Sequence, residues 1–206
     1  MTASTWFALL GACLLISLTP GAGAINTMNN ALNVGFRRSI WGILGQQLAL
    51  LIQLVIVALG LGLVIAKSPT AFAVIRYVGA AYLIYLGIQQ IRARTETDDD
   101  SPRSTVDESA WSMFTRGVWV NLLNPKAIVF LVAFIPGFVR TEHDIATQYA
   151  QIGVTIVVVD VLIMWLFFAL VGRAFRRLTS TARGRRRLNL LFGVLFIGVG
   201  LMLVFM

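Results

Sequence analysis

Residues 18–22 read Leu-Thr-Pro-Gly-Ala and residues 123–127 read Leu-Asn-Pro-Lys-Ala, and both stretches sit inside long apolar runs. Proline is unwelcome there, because it lacks the N–H that the carbonyl four residues earlier needs in a helix. Within lipid the freed group must find a neighbouring helix, water or a ligand. A plain kink accounts for either proline taken alone. Two matching interruptions, flanked by Ser17 and Thr19 in one case and by Asn121 and Asn124 in the other, point instead to a binding site where the helices break.

The surroundings place these runs in a bilayer. Of 206 residues 58% are hydrophobic and 13% charged, which is more apolar surface than a soluble domain of this size can bury. Six segments, at 5–27, 39–66, 69–91, 111–138, 148–172 and 188–206, are long enough to cross a hydrocarbon core about 30 Å thick as helices. They are too long for membrane strands and lack their two-residue alternation. The first segment has no basic residue before it and polar positions where a cleavage region should be, so it is expected to be a retained helix and not a signal peptide. The expected class is an all-α polytopic membrane protein. Cys13 is the only cysteine, which excludes a disulfide framework or a thiol relay within one chain.

Charge sets the orientation. Twelve arginines follow the first, third and fifth segments (Arg37, Arg38, Arg92, Arg94, Arg103 and seven between Arg173 and Arg187), against Lys67 and Arg140 after the second and fourth. The positive-inside rule puts the first set in the cytoplasm and both termini outside it. The net charge of +8 then reflects topology and attraction to anionic headgroups, not nucleic-acid binding. Residues 94–110 are acidic, polar and proline-punctuated, and read as a cytoplasmic linker. Three spans precede it (1–93) and three follow it (111–206). An odd number per half makes the second half enter from the opposite side, giving two inverted three-helix repeats with Pro-broken helices 1 and 4.

The candidate site residues cluster at the breaks. The first contributes Thr19, Pro20, Gly21 and Gly23, with Asn26 beyond it; the second contributes Asn121, Asn124, Pro125 and Lys126. Asparagines at 26, 29 or 30, and 33 share one helical face, which lines a wet vestibule or lies in the headgroup zone. In the second span, Gly42, Gln46, Ala49 and Gln53 form a stripe that must face protein or water, with the glycine and alanine assigned to packing. Lys126 and Asp160 fall near the midpoints of the fourth and fifth spans. A charge at bilayer centre costs about 2.5–3.5 kcal/mol, so such groups pair or face an aqueous path. Being opposite in sign, they are expected to form a pair or near-pair lining a substrate route, with a static ion pair as the rival reading. Arg76 lies nearer an interface, where it can snorkel. His143 has only Glu142 and Asp144 for company and reads as a solvated loop residue, so no metal centre and no cofactor are expected.

Four stretches carry a family resemblance: SLTPGAGAINTMNNAL at 17–32, IRYVGAAYLIYLGIQQIRA at 75–93, WVNLLNPKAIVFLVAFIPGF at 119–138 and VVVD at 157–160. In order and spacing they resemble the lysine-exporter superfamily of bacterial amino-acid efflux proteins, most nearly its homoserine, homoserine-lactone and threonine exporter branch. The resemblance spans nearly the whole chain. It implies a non-enzymatic secondary transporter of the bacterial plasma (inner) membrane that expels small amino acids by proton antiport, with lipids as its surroundings, and it is compatible with a homo-oligomer. Pro136-Gly137-Phe138 stands where the family has proline-glutamine-phenylalanine, a departure that bears on substrate size.

Half-helices that end in mid-membrane aim positive N-termini and negative C-termini inward. A zwitterionic amino acid uses both. The half-helix starting at Pro20 and Gly21, together with Lys126, is expected to attract the carboxylate, while Asp160, Asn124 and freed carbonyls receive the ammonium. For a lactone, whose carboxylate is masked, donors such as Thr19 or Asn121 take over that end. Asp160 is the only acid inside a span and therefore the candidate for proton coupling. Two rivals stand beside the exporter: a passive uniporter or channel, and a membrane thiol-disulfide oxidoreductase, which Cys13 alone cannot supply.

Overall fold

A computed structural model describes residues 1–92, 108–140, 144–170 and 181–205, and the regular structure among them is helical throughout. Most of the linker expected at 94–110, His143 and the arginines at 173, 176 and 177 lie outside the described residues.

Helix α1 (Ala3–Leu18) starts where the Thr2 hydroxyl accepts the Thr5 N–H at 3.3 Å, and stops because Pro20 cannot extend it. After an extended Thr19 and Gly21, the chain resumes as α2 (Ala22–Asn33). Gly35, at φ +90°, turns the chain toward α3 (Ile40–Lys67), a conformation a side chain would strain. Helix α4 spans Pro69–Arg92 and α5 spans Ala110–Leu122. At the second break Asn124 caps the short helix α6 (Pro125–Val129), which continues as a π-helical turn (Phe130–Phe134) and a 3-10 turn (Ile135–Phe138). Helix α7 (Ile145–Leu162) passes into a π-helical segment (Ile163–Ala169), and α8 runs over Ala182–Phe205. Outside the spans, hydrogen bonds from Thr147, first from its side chain and then from its backbone N–H at 2.8 Å, hold the Asp144 carboxyl below the usual carboxylate range.

Both expected interruptions are present. Helices α1 and α2 meet at 58°, and α5 meets the segment Pro125–Phe138 at 54°. Among the described residues, three helices are long and apolar enough to cross a membrane, or five if each bent pair is one span. The third expected span corresponds to α4, which is 24 residues long but not among these; several side chains of its first turn lie outside the described residues.

Glycines let the helices touch backbone to backbone. A Cβ on Gly117 or Gly45 would collide with the carbonyls of Gly42 or Phe114, so α3 and α5 lie in direct contact. Gly87 and Gly193 do the same for α4 and α8, where a Cβ on either would lie 2.6 Å from the other's carbonyl oxygen. Helix α1 is fastened to α7 at one end by the Trp6 indole N–H, which donates to the Thr155 hydroxyl at 3.2 Å. The inner core is built on Leu9, Leu83, Leu131, Phe134 and Ile152, all fully buried. Outward-facing Phe7, Ile56, Leu59, Val78, Val154 and Phe205 form the apolar exterior that lipid chains require.

Candidate functional site

The missing N–H of Pro20 frees the carbonyl of Ile16, four residues back, and that carbonyl has found a charged partner. The Lys126 ammonium donates to Ile16 O at 2.9 Å and to Thr19 O at 2.6 Å. Lysine thus reaches from the second break to the first and seats its charge on the negative end of the α1 half-helix. Its stem passes over Gly21, where a Cβ would stand 3.3 Å from the lysine Cε. The corresponding loss at Pro125 frees the carbonyl of Asn121. There the Asn124 N–H donates to Asn121 O at 3.1 Å, and the Gln53 amide adds bonds of 3.2 Å to Asn121 O and 3.0 Å to Leu122 O.

Asp160, on α7, lines the same cavity as Lys126, and both are at least nine-tenths buried. Its carboxylate accepts the Ser17 hydroxyl at 2.9 Å on one oxygen and the Gln47 amide at 2.7 Å on the other. No ion pair joins Asp160 to Lys126 among the described residues; the two charges share a cavity while each is held by other groups. That cavity measures about 40 Å³ and is walled by Ser17, Gly23, Gln46, Asn121 and Asn124 besides the two charges. A buried water needs roughly 10–15 Å³, and ligand pockets begin near ~300 Å³, so the cavity has room for a few waters in this conformation and none for a molecule the size of an amino acid.

The remaining expected residues brace the breaks against α3. The Gln46 amide donates to Gly23 O and the Thr27 hydroxyl, both at 3.2 Å, and Asn121 donates to Gln46 O at 2.9 Å. Asn124 accepts the Lys126 backbone N–H at 3.1 Å, a cap that fixes where the lysine leaves the chain. The Thr19 hydroxyl donates back to Leu15 O at 2.7 Å, so both donors proposed for a lactone carbonyl, Thr19 and Asn121, are engaged within the protein. Pro125 is exposed beside this cluster and acts through the carbonyl it frees.

The asparagine face divides in two: Asn26 and Asn30 are buried, while Asn29 and Asn33 are exposed, because a turn of α2 presents only the first pair to α5. Asn26 and Asn30 accept bonds from the Arg116 guanidinium, which also pairs with Glu108 at 2.8 Å. Phe130, which lines the cavity, stacks on Phe134 with centroids 5.1 Å apart, and Phe134 meets Phe138 at 5.0 Å in a tilted contact. Gln47 and Arg116 escaped the sequence reading. Gln47 adjoins the Gln46 stripe but projects one residue around the helix, toward Asp160; Arg116 sits inside a span and so outside a count restricted to loops.

A larger cleft of about 1090 Å³ between α1 and α7 is lined by Leu10, Leu14, Val158 and Leu162 and faces the exterior. Its walls are mainly apolar, with Thr2, Thr147, Gln151 and Thr155 among them, and none of the buried charges lines it.

Residues 14–206 match the family of LysE type translocators. The chain belongs to that family. It is 41% identical to the homoserine/homoserine lactone efflux proteins of Salmonella typhimurium and Salmonella typhi, over 98% of this chain and 97% of each relative. An uncharacterized membrane protein of Vibrio cholerae is 36% identical over 98% of both chains. No solved structure matches. This LysE-type translocator is accordingly a multi-pass membrane transporter.

Proposed function

We propose that this translocator exports small neutral amino acids or their derivatives, with homoserine, homoserine lactone and threonine as the first candidates, from the cytoplasm in exchange for protons. The observation that carries the proposal is the juxtaposition of two helix breaks around one buried acid and one buried ammonium. A zwitterion needs an anionic and a cationic host, and the mid-membrane ends of half-helices supply both. The negative end of α1, with Asp160, suits the ammonium. The N-terminus of α2, which Gly21 leaves without a side-chain cap, suits the carboxylate. Asp160 is the acid available to exchange a proton for substrate.

The architecture in this proposal is six spans in two inverted repeats, 1–93 and 111–206, joined at 94–110, with both termini outside the cytoplasm and the inner membrane as location. The near-equal bends of 58° and 54° and the matched loss of a carbonyl's partner at Ile16 and Asn121 support the repeat. Impermeant thiol labelling in a Cys13→Ala background tests the topology: Thr2→Cys is expected to react from outside intact cells and Ser109→Cys only after permeabilisation, and the reverse pattern refutes it.

Counterflow of labelled homoserine, threonine, leucine and lysine in proteoliposomes tests the activity. Exchange of the first two above empty liposomes, with accumulation abolished when the proton gradient is collapsed, is the expected result. Exchange that ignores the gradient identifies a passive uniporter, and no exchange at all removes the amino-acid reading.

A further inference from the structure

We infer that the Lys126 ammonium is a tethered stand-in for the ammonium of the substrate: it occupies the cation seat at the end of α1 when no substrate is bound, and yields it when substrate enters. The inference rests on the reading of this cavity as an amino-acid site, and it assigns Lys126 the opposite place from that of a carboxylate partner.

The geometry is specific. A primary ammonium carries three donors and one charge, and the Lys126 ammonium spends two of its donors on Ile16 O and Thr19 O. Those acceptors are the negative end of a half-helix, one of them orphaned by Pro20, and Asp160 adds a full negative charge in the same cavity. These are the groups an amino acid's ammonium would seek. Lys126 is nine-tenths buried, and a cavity of about 40 Å³ has no room for an amino acid beside it. Two like charges on one set of acceptors also repel. Seat and substrate are therefore mutually exclusive. Gly21 supplies the free space along the lysine stem that lets the side chain lie over the break, and Asn124 anchors its backbone so that only the flexible stem need move.

Two consequences follow from this exchange of cations. The freed carbonyls are never left bare in lipid, where an unsatisfied buried group is costly, so the protein tolerates the substrate-free state while crossing between its outward and inward forms. The seat also discriminates by chemistry: a ligand must bring a free ammonium with N–H donors to displace the lysine, and N-acylated or quaternary analogues cannot.

The test replaces the tether by a free amine. Purified Lys126→Ala protein is expected to gain several degrees in thermal midpoint with methylammonium chloride at tens of millimolar. The wild type should gain less than a tenth of that, and sodium or tetramethylammonium, which lack N–H donors, should give no gain. Lys126→Arg, which refills the seat, should behave as wild type. A folded Lys126→Ala protein that ignores methylammonium, or answers tetramethylammonium equally, overturns the inference. Should Lys126→Ala not fold, the wild type itself decides. The chain has two lysines, Lys67 and Lys126, so in a Lys67→Arg background labelled with 15N-lysine one side-chain ammonium signal remains. Saturating methylammonium, or an amino acid that exchanges in proteoliposomes, is expected to shift or broaden that signal; an unchanged signal overturns the inference. Because the methylammonium arms need no transported substrate, a failure of amino-acid exchange is distinguishable from a failure of the seat.

Discussion

The two helix breaks share a sequence pattern and a bend but differ in how they settle the carbonyls that proline sets free. At the second break the account is closed by neutral groups: Gln53 donates to Asn121 O and Leu122 O, and Asn124 caps the helix that follows. At the first, the carbonyls of Ile16 and Thr19 are held by a charge borrowed from the other half, and Gly21 leaves the next helix without a side-chain cap. A neutral amide donated by a neighbouring helix has no reason to leave. An ammonium on a flexible stem can be exchanged for another cation, so in the proposed mechanism the first break is the working one and the second its rigid counterpart.

Asp160→Asn should produce the largest effect, because it removes the charge that serves the working break. Gradient-driven export is expected to fall to background, while substrate-for-substrate exchange and membrane insertion persist, since asparagine keeps the size and one acceptor of the acid. If Asp160→Asn retains proton-coupled accumulation, the coupling role is lost. If it fails to express and Asp160→Asn with Lys126→Met restores both stability and transport, the charges are a structural device and the contrast between the breaks collapses.

Gln53→Leu probes the rigid break. It removes one of two donors to Asn121 O, which keeps the Asn124 N–H at 3.1 Å, and the donor to the part-buried Leu122 O, so a loss of about 0.5–1.5 kcal/mol in unfolding free energy is expected, with substrate affinity unchanged. The contrast would break if affinity fell while stability held. Asn124→Ala should cost about 1 kcal/mol for the lost cap and should also loosen the point from which Lys126 departs, so a modest change in binding accompanies it. Arg116→Ala stands apart from both breaks. The Arg116–Glu108 pair is partly exposed and contributes about 0–1 kcal/mol, but the variant also leaves the buried Asn26 and Asn30 oxygens without this donor, so a loss of about 1–3 kcal/mol in stability is expected. Faster substrate exchange in that variant would show that the Arg116 bonds to Asn26 and Asn30 close the path.

How far the site could be read in advance depended on the range of each interaction. Pro20 and Pro125 announce which carbonyls lose their partners, because the rule acts over four residues of the same chain. Burial of Gln46 and Gln53 likewise follows from polar spacing along one helix. What fills the freed positions could not be read this way. Gln53 meets Asn121 across 68 residues and Lys126 meets Ile16 across 110, distances over which spacing carries no geometric information. For the same reason Gln47 went unnoticed as a partner of Asp160, 113 residues away, and Asn29 could not be told from Asn30.

The sequence by itself therefore determined that this protein lives in a bilayer as a helical bundle, and where two of its helices must break. Those properties follow from apolar length and from the backbone chemistry of proline, both local. Only the tertiary structure decided that the breaks adjoin, that glycine-lined contacts between α3 and α5 bring Gln46 and Asn121 together, and that Lys126 turns toward carbonyls when Asp160 shares its cavity. The physical reason is that a buried charge takes the best set of acceptors within reach, and which acceptors are within reach is fixed by packing.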